Sequence, residues 1–289
     1  MPTLTFPLSR IEGHAQVVIE VQGGKVISAH FQAMEFRGFR YFVQGIPAEQ
    51  MPVIVPRICG VCSTAHHVAA VKALEDVFEV TPPPLAPKIR ELLLLGQVIQ
   101  NQATSLFIFT MPDRLGIASI FSLADEGVGE EAALLATRVL QVRKAGTDLI
   151  TAAGGQFIHP VKAVVGGVTG GITPEVVAAV RAEVEAVLPI ACDLFDYYWE
   201  ESLALRERTG TWGDDAPACY IAAVTDSRPN YTGGNMRVMD ADGVVRHVFP
   251  ARDFRTYLDY EETDYSYAGQ TSYGGQVLRA NSLARGVPI

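Results

Sequence analysis

The stretch "RICGVCSTAHH", residues 57–67, places Cys59 and Cys62 three positions apart, just before a predicted helix. Apolar residues recur at helical spacing after the pair, from Val68 onward, and a serine or threonine precedes them as a helix N-cap. The partial positive charge of a helix N-terminus favours thiolates, the form in which cysteine binds metals. The stretch therefore predicts a metal or redox site at the start of a helix.

Three kinds of site remain open for this cysteine pair. A redox dithiol of the thioredoxin type requires a strand–helix–strand setting, and the sequence predicts no parallel partner strand here. A structural zinc site requires four ligands, usually from a second pair with similar spacing. Cys192 and Cys219 lie in unrelated contexts, and we expect both to be buried packing residues without a metal. The third possibility is half of a thiolate site whose other half lies elsewhere.

The composition and the net charge argue against some classes of binding partner. The chain has 289 residues, of which 48% are hydrophobic and 19% charged, as is usual for soluble globular proteins. Its formal net charge of -9 argues against nucleic acid or an anionic membrane as the main partner. The N-terminus lacks the pattern of a signal peptide, and four cysteines do not make a disulfide framework. We therefore expect a cytoplasmic protein.

The most apolar stretch runs from Leu92 to Met111 and is about as long as a membrane span. Such a span needs about 20 mostly apolar residues. Four amide side chains interrupt this stretch: Gln97, Gln100, Asn101 and Gln102. We therefore expect a buried helix and no membrane span.

Hydrophobic periodicity predicts an α+β fold in three segments. A β-rich segment, 1–58, contains a hairpin over 14–34. A helical region, 59–210, carries the cysteine pair. A β- and loop-rich region, 211–289, contains a second hairpin centred on Asp242-Gly243.

Proline and glycine set the predicted helix ends in the middle region. One long helix is expected to stop near Met111-Pro112-Asp113. The next runs from about 130 to 153 and stops at Gly154-Gly155. Thr173-Pro174-Glu175 combines an N-cap with a proline at the first helical position, so it predicts a further helix start.

Four further motifs accompany the R-x-C-G-x-C-x-x-x-H pattern of residues 57–66, in a fixed order along the chain. They are "SRIEGHAQVVIEV" (9–21), "FRGF" (36–39), "IHPVKAVVGGVT" (158–169) and "DYSYAGQTSYGGQVLRANSLARG" (264–286). Together they resemble the large, catalytic subunit of nickel–iron hydrogenases over essentially all 289 residues. The details are most similar to the soluble, cytoplasmic, multi-subunit members, and the resemblance implies the large-subunit fold.

The resemblance also implies roles for individual residues. In that family, four thiolates from two CxxC pairs hold nickel, and two of them bridge to an iron that carries carbon monoxide and cyanide. Cys59 would be a terminal nickel ligand and Cys62 a bridge, since soft thiolates suit such a centre. Glu12 matches the proton-relay glutamate, and His66 would form a hydrogen bond near the bridging sulfur. The alternative for Glu12 is a solvated carboxylate at the start of a strand; for His67 and His159 we expect packing or loop roles.

Three departures from the family pattern matter. Histidines common in the family's next long helix are Gln97, Asn101 and Gln102 here, which would alter the tuning of the metal ligands or the routes for protons. Arg40 occupies the position of a glutamate that helps to hold magnesium, and a guanidinium cannot ligate a cation, which argues against this magnesium site. The family's second cysteine pair, in a D-P-C-x-x-C-x-x-H motif, is missing from these 289 residues. The chain therefore resembles the N-terminal portion of a large subunit, either from a split gene or as a fragment of a longer chain.

We therefore expect the N-terminal part of a catalytic subunit that oxidises dihydrogen reversibly to protons and electrons. The remaining large-subunit portion would come from another chain or a longer gene product, and this chain is expected to be inactive alone. Electrons would leave through an iron–sulfur small subunit, because no spacing here suits a cluster. The alternative is a hydrogenase-derived scaffold subunit without a metal centre, serving an electron-transfer complex.

Overall fold

The fold is described by a computed structural model, which covers residues 3–124, 130–209, 218–280 and 284–285. The chain forms two compact units, Met1–Glu201 and Ser202–Ile289. The predicted β-rich segment therefore shares the first unit with most of the helical region. The predicted boundary at 210/211, like residues 281–283 and 286 of the last motif, lies outside the described residues. Helices and sheets together confirm the α+β class.

The first unit opens with a three-stranded antiparallel sheet in the order β1-β2-β3. Its strands are β1 (Thr3–Pro7), β2 (Ala15–Gln22) and β3 (Lys25–Ala33). Phe6, Val17 and Phe31 are register partners, so the period-two pattern puts apolar side chains on one face. The predicted hairpin over 14–34 is confirmed. The turn between β1 and β2 carries the motif that contains Glu12.

Helices make up the rest of the first unit, apart from one small hairpin. The helices are α1 (Phe39–Phe42), α2 (Met51–Ile54), α3 (Ser63–Val77), α4 (Leu85–Ala103), α5 (Met111–Leu115), α6 (Glu130–Gly154) and, as far as Glu201, α7 (Pro174–Thr209). Short 3-10 turns cover Ala48–Gln50, Val55–Ile58 and Ile120–Ala124, and β4 (Ala163–Val164) pairs with β5 (Gly167–Val168). The predicted start of α7 and the predicted end of α6 are confirmed. The predicted serine or threonine N-cap of α3 is wrong, because Cys62 is the N-cap residue and Ser63 is already the first helical residue. The hydroxyl of Thr173 accepts a hydrogen bond from the Val176 amide, as an N-cap does.

The predicted helix end near Met111-Pro112-Asp113 is wrong. A π-helical segment, Thr104–Thr110, joins α4 to α5, and the run ends only at Gly116, where φ is 67°. The α-helical hydrogen-bonding pattern of α4 ends where the π segment begins, so a new α-helical segment starts after Thr110. Pro112 therefore lies in the first turn of α5, where no amide donor is required.

The 31-residue helical run from Leu85 to Leu115 is long and apolar enough to cross a membrane by length and composition. Within its most apolar window, 44% of the residues are buried inside the protein. Its buried positions include Arg90, Gln97 and Gln100. These features are typical of a core helix, as the sequence predicts.

Two glycines let α4 and α6 pack with their backbones almost in contact. A Cβ atom at Gly146 would lie 2.6 Å from the amide nitrogen of Gln100, and one at Gly96 would lie 3.0 Å from that of Ile150. Neither position has room for a side chain. Two buried clusters flank this crossing: Val68, Ile89, Leu93, Leu94, Ile150 and Ala153, and Ala103, Phe107, Met111, Val139, Val142 and Leu194.

The second unit is built on a mixed sheet. Among its described residues the order is β10-β11-β12-β6-β8-β9, with β7 paired to β6. The elements are β6 (Cys219–Thr225), β7 (Arg228–Pro229), β8 (Asn235–Met239), β9 (Val245–Pro250), β10 (Asp259–Thr263), β11 (Ser266–Tyr273) and β12 (Gln276–Arg279), with a 3-10 turn (Ala251–Asp253) and α8 (Phe254–Tyr257) before β10. Only the β12–β6 pair is parallel among the described pairs. The hairpin predicted at Asp242-Gly243 is confirmed as β8–β9.

The two remaining cysteines differ in burial. Cys219 is 1% exposed, so its predicted burial is confirmed. The prediction for Cys192 is wrong, because this side chain is exposed. Leu194 of α7 is buried in the first unit, and successive helical residues turn by about 100°, so a position two residues away faces a different direction.

Candidate metal centre

Cys59, Cys62 and His66 place one donor atom each within 4.8 Å of one another. In the described parts of the chain this is the one such group of three or more His, Cys, Asp and Glu residues. Cys62 is the N-cap residue of α3, and its carbonyl oxygen accepts hydrogen bonds from the amides of Ala65 and His66. His66 therefore lies one turn into α3, above the cysteine pair. In the structure the two cysteines are joined as a disulfide, and reduction would free both sulfurs as ligands.

Glu12 reaches the cysteines from the turn between β1 and β2. Its Oε2 atom lies 3.1 Å from Cys59 Sγ, although 47 positions separate the residues in sequence. Glu12 is exposed, and the three clustered residues are half-buried, so the site opens at the surface of the first unit. The Glu12 carboxylate is therefore exposed to solvent and at the same time in contact with a cysteine sulfur.

The turn that presents Glu12 is anchored on both sides. The Arg10 guanidinium donates hydrogen bonds to Asp113 Oδ1 at 2.9 Å and to the Ala118 carbonyl at 3.1 Å. On the other side, His14 Nδ1 lies 2.5 Å from a Glu35 carboxylate oxygen. Gly13 between them has φ 79°, and a Cβ there would lie 3.0 Å from Glu35 Oε2. A larger residue at this position would strain the turn and crowd Glu35.

A loop from far along the sequence fastens α3. We call residues 155–169 the bracing loop. Its amides donate hydrogen bonds to three side chains of α3: His159 to Ser63 Oγ (3.2 Å), Ala163 to His67 Nε2 (3.2 Å) and Gly166 to Glu75 Oε1 (2.9 Å). These bonds spread over the length of α3. The helix that carries Cys62 is therefore positioned by the bracing loop, which contains the "IHPVKAVVGGVT" motif.

His67 serves packing, in agreement with the expectation from sequence. It is 1% exposed, and its Nδ1 lies 2.8 Å from the Pro52 carbonyl oxygen. Because Nε2 accepts from the Ala163 amide, Nδ1 carries the proton and donates to Pro52. Burial lowers the pKa of the His67 imidazole, with Arg90 adding to the effect against the Pro52 hydrogen bond. Burial also lowers the pKa of His66. Both rings are therefore neutral at pH 7.

A buried ion pair that the sequence did not predict supports the same region. Arg90 of α4 contacts both carboxylate oxygens of Glu75, at 2.7 and 2.8 Å, and both side chains are under 10% exposed. Arg90 also donates to the carbonyls of Val164 and Gly167 in the bracing loop. The only signal in the sequence is an arginine that precedes the apolar run of α4.

Gln97 makes a second contact that was not predicted. Its Nε2 lies 2.8 Å from the carbonyl oxygen of Val61, between the two cysteines. The signal was present, because Gln97 interrupts an apolar helix. A buried amide in such a place needs hydrogen-bond partners.

Arg40 lies in α1 and is exposed. As a cation it contributes no ligand where the family pattern has a glutamate.

The donor set discriminates among the three kinds of site. Every described strand pair of the first unit is antiparallel, so the strand–helix–strand setting of a thioredoxin-type dithiol is not found there. A closed zinc site needs a fourth protein ligand beyond the three residues grouped here. Two sulfurs at a helix N-terminus, with a neutral imidazole and a carboxylate beside them, fit part of a site for a soft transition metal such as nickel.

Comparison with known proteins agrees with this chemistry. Residues 37–137 match the family described as nickel-dependent hydrogenase, and residues 6–36 match a family described as HoxL-like. A component of the F420-non-reducing hydrogenase vhu from Methanococcus voltae is 33% identical, across 98% of this chain and 68% of its own length. The beta subunit of the NAD-reducing hydrogenase HoxS from Cupriavidus necator is 31% identical, across 88% of this chain and 54% of its own.

A solved structure gives the same picture. The NAD+-reducing [NiFe]-hydrogenase in its H2-reduced state superposes with a TM-score of 0.78 at 30% identity, covering 99% of this chain and 66% of that chain. The chain thus spans about two thirds of the length of these relatives, or less.

Proposed function

Because the chain belongs to the nickel-dependent hydrogenase large-subunit family, we propose that it supplies part of the nickel–iron site of an enzyme that interconverts dihydrogen with protons and electrons. The observation that carries the proposal is the contact of 3.1 Å between Glu12 Oε2 and Cys59 Sγ, beside a cluster of two sulfurs and an imidazole. A metal-bound sulfur and a carboxylate at this distance are the parts needed to take up a proton.

Cys59 and Cys62 would hold the metals, with Cys59 a terminal nickel ligand and Cys62 a bridge to iron. The iron would carry carbon monoxide and cyanide. When bound, this centre supplies the heterolytic cleavage of dihydrogen. Two thiolates are half of the four that the site needs, so the second pair is expected from a polypeptide region outside these 289 residues.

Glu12 would accept the proton that arrives at Cys59 Sγ and pass it on by rotating away. Its position supports this role, since the hydrogen bonds of Arg10 and His14 anchor the turn and the Glu12 side chain is exposed to solvent. His66, neutral at pH 7, would lie next to the sulfurs as a hydrogen-bond partner that tunes their basicity.

The partners in this proposal are an iron–sulfur small subunit, the remaining large-subunit portion and dihydrogen. The relatives named above are parts of hydrogenases, one of them an NAD-reducing enzyme, which supports a multi-subunit complex. We place the complex in the cytoplasm. Arg40 offers no ligand to a magnesium ion, so no magnesium would be bound at this position.

The test is metal analysis and infrared spectroscopy of the native complex that contains this chain. We expect stoichiometric nickel, iron in excess of nickel because the small subunit adds its clusters, and sharp bands from metal-bound carbonyl and cyanide. A folded complex without nickel and without such bands would favour the alternative, a hydrogenase-derived scaffold subunit. Two features of the sequence favour the scaffold subunit: Arg40 and the presence of a single CxxC pair.

A further inference from the structure

One peptide group in the cysteine loop lies between two hydrogen bonds. It is the peptide that joins Val61 to Cys62. Its N–H donates to Cys59 Sγ, with 3.2 Å between nitrogen and sulfur. Its carbonyl oxygen accepts a hydrogen bond from Gln97 Nε2 at 2.8 Å. Gln97 is thereby connected to the Cys59 sulfur through a single peptide unit.

Hydrogen bonds on the side away from the cysteine loop fix the orientation of the Gln97 side-chain amide. Gln97 is 9% exposed, and its Nε2 also lies 3.3 Å from Gln100 Oε1. Gln100 in turn donates to Thr104 Oγ1 at 3.2 Å, and the Arg143 guanidinium donates to the same hydroxyl at 3.2 Å. This series of partners turns the NH₂ group of Gln97 toward the cysteine loop.

The two bonds on the peptide reinforce each other. A hydrogen bond accepted by a carbonyl polarises the peptide and makes its N–H a stronger donor, the more so at low local dielectric. An N–H that donates to a thiolate stabilises the negative charge on sulfur and lowers its electron density. The amide of Gln97 therefore withdraws electron density from Cys59 Sγ and also holds the loop in place.

We propose that Gln97 is a positioning residue of the metal site, acting on Cys59 through the Val61–Cys62 peptide. The metal it serves in the cell rests on the function proposed above. A residue that only filled space between α4 and the loop would affect stability and nothing else. Gln97 is instead expected to change the electronic properties of a metal–sulfur bond.

The test uses the reduced 289-residue chain with cobalt(II) alone as a probe, read by its sulfur-to-cobalt charge-transfer absorption. Gln97→Met keeps the length of the side chain and removes the donor. We expect its charge-transfer band to move to lower energy, because the sulfur becomes more electron-rich. Cobalt affinity should fall about 10–100-fold, the range typical for losing a partner of a metal ligand.

Gln102→Met is the matched control. Gln102 lies on the same helix, is half-buried, and makes no side-chain hydrogen bond to any described residue. Its band and its affinity should stay as in the unmodified chain. Gln97→Leu also removes the donor and adds no charge, and it decides the matter if the methionine variant does not fold.

An unmoved band and unchanged cobalt affinity in folded Gln97→Met or Gln97→Leu would overturn the inference, and so would a loss of thermal stability alone. The probe needs no nickel–iron centre. A native complex without nickel would therefore count against the proposed function, whereas an unmoved cobalt band would count against the role of Gln97.

Discussion

The carboxylate of Glu12 and the sulfur of Cys59 meet at 3.1 Å, although one belongs to a turn between two strands and the other to the loop before α3. The turn is fixed by Arg10 and His14, and the loop by Cys62 at the helix cap. The turn before β2 and the loop before α3 are distant in sequence, and the fold brings Glu12 and Cys59 into contact.

Glu12→Gln is expected to leave the metal content of the assembled enzyme near normal and to slow hydrogen–deuterium exchange about 10²–10⁴-fold. An amide of nearly the same shape cannot take up the proton, and losing such general acid–base help typically costs this much. Glu20→Gln is the control, because Glu20 is an exposed carboxylate of β2 that contacts Ser28. Near-normal exchange in a fully loaded Glu12→Gln enzyme would exclude the relay role.

The chain expressed alone is expected to contain no stoichiometric nickel–iron centre and to show no hydrogenase activity. In the proposed site Cys59 and Cys62 would provide two of four thiolates, so in the chain alone both metals would lack ligands and be open to solvent. Metal analysis and a hydrogen-uptake assay on the purified chain check this. Full nickel and iron with activity would contradict the ligand count.

In the assembled enzyme, Cys62→Ser is expected to abolish hydrogen uptake, whereas Cys192→Ser should retain it. Serine lacks the soft sulfur with which Cys62 would bridge two metals in the proposed site. Cys192 is exposed on α7 and is not among the grouped donors. Uptake assays with metal analysis of both variants provide the comparison. Equal losses would mean that Cys192 has a role in the enzyme.

Arg90→Met is expected to lower the free energy of unfolding by about 3–5 kcal/mol, because it leaves the buried Glu75 carboxylate without its partner. Denaturant unfolding measures the change. Arg181→Met is the matched control, since the Arg181–Glu185 pair is exposed and should contribute little. Similar small effects for the two variants would show that the pair with Glu75 is dispensable.

Stability should fall as the pH drops below 6.5, in part because of His67. Its pKa in the folded chain is lowered by burial, so between that value and 6.5 the unfolded chain binds more protons. Unfolding is therefore favoured by acid, by at most about 1.4 kcal/mol per pH unit for one such group. In His67→Gln the slope of stability against pH should be smaller, and in His30→Gln, an exposed position of β3, it should not change. Equal slopes in all three proteins would refute this account.

The local signals in the sequence were sufficient for most elements and for the motif residues. Helical spacing after the cysteine pair predicts α3, and Gly23-Gly24 and Asp242-Gly243 predict their hairpins, because these features depend on neighbours in sequence. The helix end predicted at Pro112 was wrong. The π segment before it places Pro112 in the first turn of α5, where a missing amide donor breaks no hydrogen bond. The exposure of Cys192 depends on which face of α7 packs, which composition alone does not determine.

The contacts that organise the site are the part that the sequence could not provide. Gln97 and Val61 are 36 positions apart, and Arg90 contacts a carbonyl 77 positions away. Such pairs require the packing of α4, which depends on glycines at its crossing with α6. The roles of Glu12, Cys59, Cys62 and His66 come from the resemblance to the family and stay predictions.

The bracing loop has a consequence for the order of events during synthesis. The last of its three bonds to α3 comes from the amide of Gly166, 104 residues after Cys62. A nascent chain emerging from the ribosome therefore displays the cysteine pair well before α3 is fastened. Capture of metal in the finished geometry has to wait until translation has passed the bracing loop, so the loop sets the earliest moment at which a completed half-site exists.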